Sequence, residues 1–388
     1  MMIRFLKAGV LLVTFAAMMD AGRAQVPAEA AGVYSLFGSK SSTQGRGKLV
    51  VNRNGSFTLG VITQSRLVNK GAAGRFNQWG MSTVVLHRGS PGKFVDIAFV
   101  KLEYVPGEPS YITCKVYGGD DWVQSMMAEF HAYKNAEGGS LAGRYAALLT
   151  PSGYPMWTDP EASLVEGKGW AVLKVRENGK VKITGRLPSN RPFVTSSWLR
   201  ADGGFWLYNE VVRISSSQPW AGHVGFDYHE TLSGLITLAP EPERDGGGTL
   251  SWAFLKPPEH IFPTTFAVEV SRYEIPADAS EPIATPYSLM LDGGDIGTPV
   301  ESSFSLQRTS TGLKARDLAP PLLRMTIPAS GELVGSFSGT MQLDGEQYQR
   351  PFSGVFLQKQ GFGGGFFKGV QGAGKRTGSL EIAPALAE

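Results

Sequence analysis

The richest cluster of ionisable side chains is Gly222-His223-Val224-Gly225-Phe226-Asp227-Tyr228-His229-Glu230. Read as a strand, period-2 alternation puts His223, Asp227 and His229 on one face. Two imidazoles and a carboxylate are donors of the kind that hold zinc, so these three are candidate metal ligands. Such a site takes three or four ligands, and His87, His131 and His260 stand alone in the sequence. The competing expectation is therefore a hydrogen-bonded strand face. A second kind of chemistry lies just upstream, where Trp198, Phe205, Trp206, Tyr208 and Trp220 follow one another closely. Trp206 and Tyr208 share one face of a strand whose other face carries Phe205 and Leu207. An outward aromatic pair can stack on the C–H faces of sugar rings. Trp198, Trp206, Tyr208 and Trp220 are thus candidate ligand-binding residues.

The remaining motifs read as structure. Gly369 to Thr377 mimics a phosphate-binding loop, but Arg376 stands where a Mg²⁺-holding Ser or Thr belongs. The expectation there is a glycine-rich turn between the last two strands. The chain has no G-x-S-x-G elbow, no H-E-x-x-H helix and no calcium loop. No catalytic residue and no cofactor is expected.

The elements that must carry these side chains are strands. There are 49 glycines among 388 residues, about twice the usual ~7%. Charged residues make up 18% and aromatics 11%. Abundant glycine with many aromatics and little charge points to an all-β protein rich in tight turns. Lys48 to Phe57 and Ala171 to Val181 each read as strand, Asn-Gly, strand, and Leu322 to Leu333 repeats the pattern around Ser330-Gly331. Asn-Gly predicts a two-residue hairpin with left-handed backbone at both turn residues, Asn54-Gly55 and Asn178-Gly179. The copies open on Gly32-Val33-Tyr34, on Gly143-Arg144-Tyr145 and near Tyr287. That spacing is domain-sized, which implies tandem antiparallel meander modules, small barrels or sandwiches, over residues 32–134, 143–275 and 286–384. Residues 136–140 and the proline-rich run 276–286 read as linkers. Trp122 to Tyr133 is the one run ambiguous between helix and strand.

Residues 1–24 have the layout of a secretory signal peptide: Arg4 and Lys7, an apolar run from Ala8 to Met19, then Gly22-Arg23-Ala24. Twelve apolar residues are too few for a membrane-spanning helix, and no later stretch supplies one. Export to the periplasm, cell surface or medium is the expectation. Loss of this segment would leave the charge close to neutral, which offers no electrostatic footprint for nucleic acid. Cys114 is the single cysteine; alternation in Tyr111 to Tyr117 places it on the face of Ile112 and Val116, as a small buried hydrophobe.

The order G-x-Y, hairpin, Gly234 to Leu238, Thr249-Leu250-Ser251-Trp252, Ser271-Arg272-Tyr273, then Phe352 to Gln360 and Gly365-Phe366-Phe367 resembles an uncharacterised β-repeat region of large secreted or cell-surface proteins of environmental Gram-negative bacteria. The likeness runs from about Gly32 to Ile382. It implies architecture only. The sequence thus points to an exported non-enzymatic β-module protein with a scaffold or adhesin-like role, whose partners would be polysaccharide or cell-surface proteins. The alternative is a carbohydrate-binding module protein, or less readily a glycoside hydrolase, using the aromatics of the second module.

Overall fold

The computed structural model describes residues 25–38, 45–63, 72–88, 94–106, 110–118, 126–134, 139–152, 167–214, 226–256, 260–274, 283–309, 312–328, 333–343, 346–347, 349–369 and 377–385. Most of them are strand. The first sheet contains β1 (Gly32–Gly38), β2 (Gly45–Val51), β3 (Ser56–Thr63), β4 (Ala72–Arg75), β5 (Met81–Arg88), β6 (Phe94–Glu103), β7 (Tyr111–Gly118) and β8 (Met126–Lys134). The second contains β9 (Gly143–Ser152), β10 (Gly169–Val175), β11 (Lys180–Arg186), β12 (Pro192–Trp198), β13 (Gly204–Ile214), β14 (Phe226–Leu238), β15 (Gly246–Lys256) and β16 (His260–Arg272). The third contains β17 (Ile283–Gly293), β18 (Val300–Thr309), β19 (Gly312–Arg316), β20 (Leu322–Thr326), β21 (Ser336–Met341), β22 (Arg350–Leu357), β23 (Phe362–Lys368) and β24 (Thr377–Pro384). Of the ambiguous run Trp122 to Tyr133, residues 126–133 belong to strand β8, and 122–125 lie outside the described residues.

Each sheet is an antiparallel meander whose first strand also pairs with its last: Tyr34 with Lys134, Tyr145 with Arg272, Tyr287 with Pro384. That pairing bends each eight-stranded sheet round on itself into a barrel-like module. One seam is left without a ladder. It lies between β4 and β5 in the first barrel and between β12 and β13 in the second, but between β19 and β20 in the third, one strand earlier. Pro320 and Pro321, which have no N–H to donate, lie between the two seam strands of the third barrel. The chain divides into two compact units, Met1–Ala136 with the first barrel and Glu137–Glu388 with the second and third.

Strand alternation fills each interior. In the first barrel Tyr34, Leu36, Leu49, Phe57, Leu86, Ile112 and Cys114 point inward and are buried. In the second, Val181 and Ile183 of β11 do so with Leu187, as their spacing implies. The G-x-Y openings share a device. Tyr34 Oη donates to Ala30 O at 2.7 Å and Tyr145 Oη to Leu141 O at 2.9 Å, each four residues back in a short 3-10 turn, Ala28–Ala30 or Gly139–Leu141.

The turns differ from the sequence expectation. Gly55 and Gly179 have positive φ (77° and 79°), but Asn54 and Asn178 are not among the residues with positive φ. Gly55 N donates to Asn52 O and Asn52 N to Ser56 O; Gly179 N and Arg176 N repeat this with Arg176 O and Lys180 O. These are three-residue loops, a type I turn closed by a left-handed residue, rather than two-residue hairpins. The asparagine acts through its side chain: Oδ1 of Asn54 accepts from Ser56 N, and that of Asn178 from Lys180 N. Residues 77–81, 187–191 and 200–204 close by the same pair of bonds. Ser330-Gly331 lies outside the described residues.

Candidate functional site

The predicted aromatic site is partly assembled. Phe205 and Leu207 face the core, 0% and 1% exposed, so Trp206 and Tyr208 do share the outer face of β13. Arg200 N donates to Gly204 O across the turn that joins β12 to β13, and Trp198, the last residue of β12, faces outward as Trp206 does. Both are half-buried. Tyr208 is on that face but only 5% exposed, which removes its ring as a stacking platform. Trp220 lies outside the described residues. So does His223, while Asp227 and His229 fall in β14. The ladder from β13 shifts between Arg213 and Ile214, leaving Asp227 opposite no residue. Among the described residues no group of three His, Cys, Asp or Glu could hold a metal ion. The Gly369 to Thr377 loop joins β23 to β24, and residues 370–376 are outside the described set.

The group that sequence reasoning missed is Glu230. It is in phase with Leu232, Ile236 and Leu238 and so points into the second barrel, 1% exposed. Trp252 Nε1 donates to its Oε1 at 2.7 Å and Ser189 Oγ to the same atom at 3.0 Å. Arg191 Nε lies 3.3 Å from Oε2 as an ion pair, without the alignment of a hydrogen bond. Burial pushes this carboxyl above its ordinary range, against the pull of the Trp252 bond, Arg191 and Ser189. The signal was available in the apolar even-numbered stripe of β14, which Glu230 continues. The third barrel holds a comparable knot of inverted sign. Arg350, 3% exposed, is clasped by Glu346 and Asp295. Each knot ties a connection to a strand inside its barrel, and in both the charges are spent on partners within the fold.

A built apolar surface forms the seat between the second and third barrels. Ala146 and Leu148 of β9 and Trp170 and Val172 of β10 point outward and pack against Val355 and Leu357 of β22 and Phe366 of β23. Trp170 Nε1 donates to Ser353 Oγ at 3.1 Å, and Lys168 N to Gly365 O at 3.0 Å. At the rim, Glu274 N donates to Gln358 Oε1 and Gln358 Nε2 donates back to Glu274 O. Lys359 N donates to Ser271 Oγ at 2.9 Å, and its Nζ lies 2.9 Å from Asp245 Oδ1. Val355 to Gln360 and Ser271-Arg272-Tyr273, two of the pieces that carry the resemblance described above, therefore meet each other here. No family model matches the chain, and no curated protein matches it.

Proposed function

We propose that this is an exported, non-enzymatic β-barrel array that serves at the cell surface or outside the cell as a scaffold or adhesin-like part. The observation that carries the reading is where the chain puts its unusual chemistry. Its buried charges tie connections to strands inside barrels filled with side chains, and Val355 to Gln360 with Ser271 to Tyr273 helps hold one barrel onto the next. The resemblance to repeat regions of large surface proteins and the layout of residues 1–24 support the setting. Cell fractionation with mass spectrometry of the N-terminus tests it. The expected product starts near Gln25 and is found outside the cytoplasm; a cytoplasmic protein that keeps Met1 overturns it.

A second reading, carbohydrate binding, is favoured by one observation: Trp198 of β12 and Trp206 of β13 both lie on the outer face of the second barrel. A glycan-array screen of the full chain separates the two. Signal lost in Trp198→Ala and Trp206→Ala supports sugar binding, and a blank array leaves the scaffold reading.

A further inference from the structure

The outer wall of the first barrel carries an apolar patch. Among the described residues nine large hydrophobic side chains are exposed, and five of them, Trp79, Met81, Val85, Phe99 and Val105, lie on β5, β6 and the turns at their ends. These five are 37–55% exposed. The other four, Val194, Met290, Leu323 and Leu333, are spread over β12, β17, β20 and the connection after β20. Val84 and Leu86 of β5 and Ala98 and Val100 of β6 point into the core, so Met81, Thr83 and Val85 and also Ile97, Phe99 and Lys101 point out. The ladder sets Thr83 opposite Phe99 and Val85 opposite Ile97, which leaves Phe99 diagonal to both Met81 and Val85. Diagonal neighbours are about 7–8 Å apart, within reach of an aromatic ring, so these side chains form one surface. Trp79 and Val105 extend it at the end where Leu102 N donates to Gly80 O at 2.8 Å. An outward face need not be apolar: β18 turns Glu301, Ser303 and Ser305 away from its core. Where β9 and β10 do turn apolar side chains outward, another barrel covers them.

We propose that this patch is a homodimer interface, in which β5 and β6 of one first barrel pack on β5 and β6 of a second copy about a two-fold axis. Three observations select that occupant. No other group of exposed apolar side chains among the described residues matches the patch, so its complement is the same patch on another copy. The rim is electrically self-complementary. Lys101 Nζ lies 3.0 Å from Glu103 Oε1, and Tyr111 donates to Glu103, so two copies meet without like-charge repulsion. A two-fold rotation can also set the Lys101 of each copy against the Glu103 of the other. The third observation is size. Five side chains at these exposures leave on the order of 400 Å² open. With the polar rim the face approaches the roughly 800 Å² per partner of a standard interface. Each first barrel keeps its own filled core, so the contact suits a reversible dimer rather than an obligate one. A same-face contact closes at two copies and does not propagate. The inference goes beyond the scaffold reading and holds wherever the chain resides.

Sedimentation velocity of the full chain between about 1 and about 100 µM tests it, a range that brackets a reversible contact of this size. The variants are Phe99→Glu, Phe99→Lys and, as a control, Met290→Glu on the third barrel. The expected result is a monomer that becomes a dimer as concentration rises. Each Phe99 variant alone should weaken the dimer by roughly tenfold or more. Phe99 is central in the patch, so the axis brings the two copies of residue 99 together. An equimolar mixture of the Glu and Lys variants should therefore restore the dimer. Met290→Glu should leave it unchanged. All three substitutions are at exposed positions and should keep the melting temperature within a few degrees. A monomer at every concentration overturns the proposal, as does a dimer that neither Phe99 variant weakens. Loss in both variants without rescue in the mixture overturns the two-fold arrangement. Binding of a persistent monomer to phosphatidylcholine vesicles, lost in Phe99→Glu, overturns it in favour of a lipid surface.

Discussion

A single buried carboxylate gives the second barrel a pH signature. Glu230 is held by Trp252, Ser189 and Arg191, yet burial outweighs them and raises its pKa. A carboxyl raised on folding keeps its proton more tightly in the folded chain. Its stabilising contribution is full below the unfolded value and is lost as pH rises through the folded value. The second unit should therefore lose stability with rising pH just above the ordinary glutamate range. Glu230→Gln keeps a carbonyl to accept from Trp252 and should lack that slope. Thermal midpoints at a series of pH values check this, and an unchanged slope in the variant would assign it to other groups. Gly179 is the other residue whose role is local. Its φ of 79° is strained for any side chain, and a β-branched one above all, so Gly179→Val should cost about 1–2 kcal/mol in a chemical melt. A melt that shows no loss would contradict the turn described here.

At the scale of elements, what the sequence discloses depends on how many faces a strand buries. Strands with one buried face, such as β11, alternate and are easily read; its Val181 and Ile183 went inward as expected. The turns were placed correctly but their type was not, because Asn-Gly fits both a two-residue hairpin and the last two positions of a three-residue loop. The docking seat was hidden for a different reason. Tyr145-Ala146-Ala147-Leu148-Leu149 and Trp170-Ala171-Val172-Leu173 are continuous apolar runs because both faces are covered, one by the core and one by the third barrel. A continuous run marks a doubly buried strand but does not say what covers it. Likewise Trp198 and Trp206 could be assigned faces, whereas Tyr208, outward yet buried, could not be judged from alternation alone. The seat yields a prediction of its own. A Cβ on Gly167 would lie 2.3 Å from Phe366 Cβ and 2.8 Å from Gly378 O, neither of which is a flexible side-chain end. Gly167→Ala should therefore prise the barrels apart locally and speed proteolysis between residues 275 and 282. Digestion no faster than that of the parent chain would show that the seat tolerates the methyl.

For the whole molecule, the two compact units carry separate reporters. Cys114 is fully buried in the first barrel, where burial pushes its thiol up to about 12, so it should not react with a thiol reagent at neutral pH until that barrel opens. Trp79 and Trp122 aside, every tryptophan lies in the second unit. Thiol labelling and tryptophan emission followed through one urea series should give two distinct midpoints; coincident curves would mean a single cooperative block. The seat between the barrels also sets an order in time. Trp170 and its partner Ser353 are 183 residues apart, and synthesis adds roughly 5–20 residues each second. The apolar flank made by Ala146, Leu148, Trp170 and Val172 thus emerges on the order of 10–40 s before the strands that cover it. In the later part of that interval, once β16 has emerged, a newborn chain carries a sticky flank on a barrel that is otherwise complete, and something other than the third barrel has to shield it.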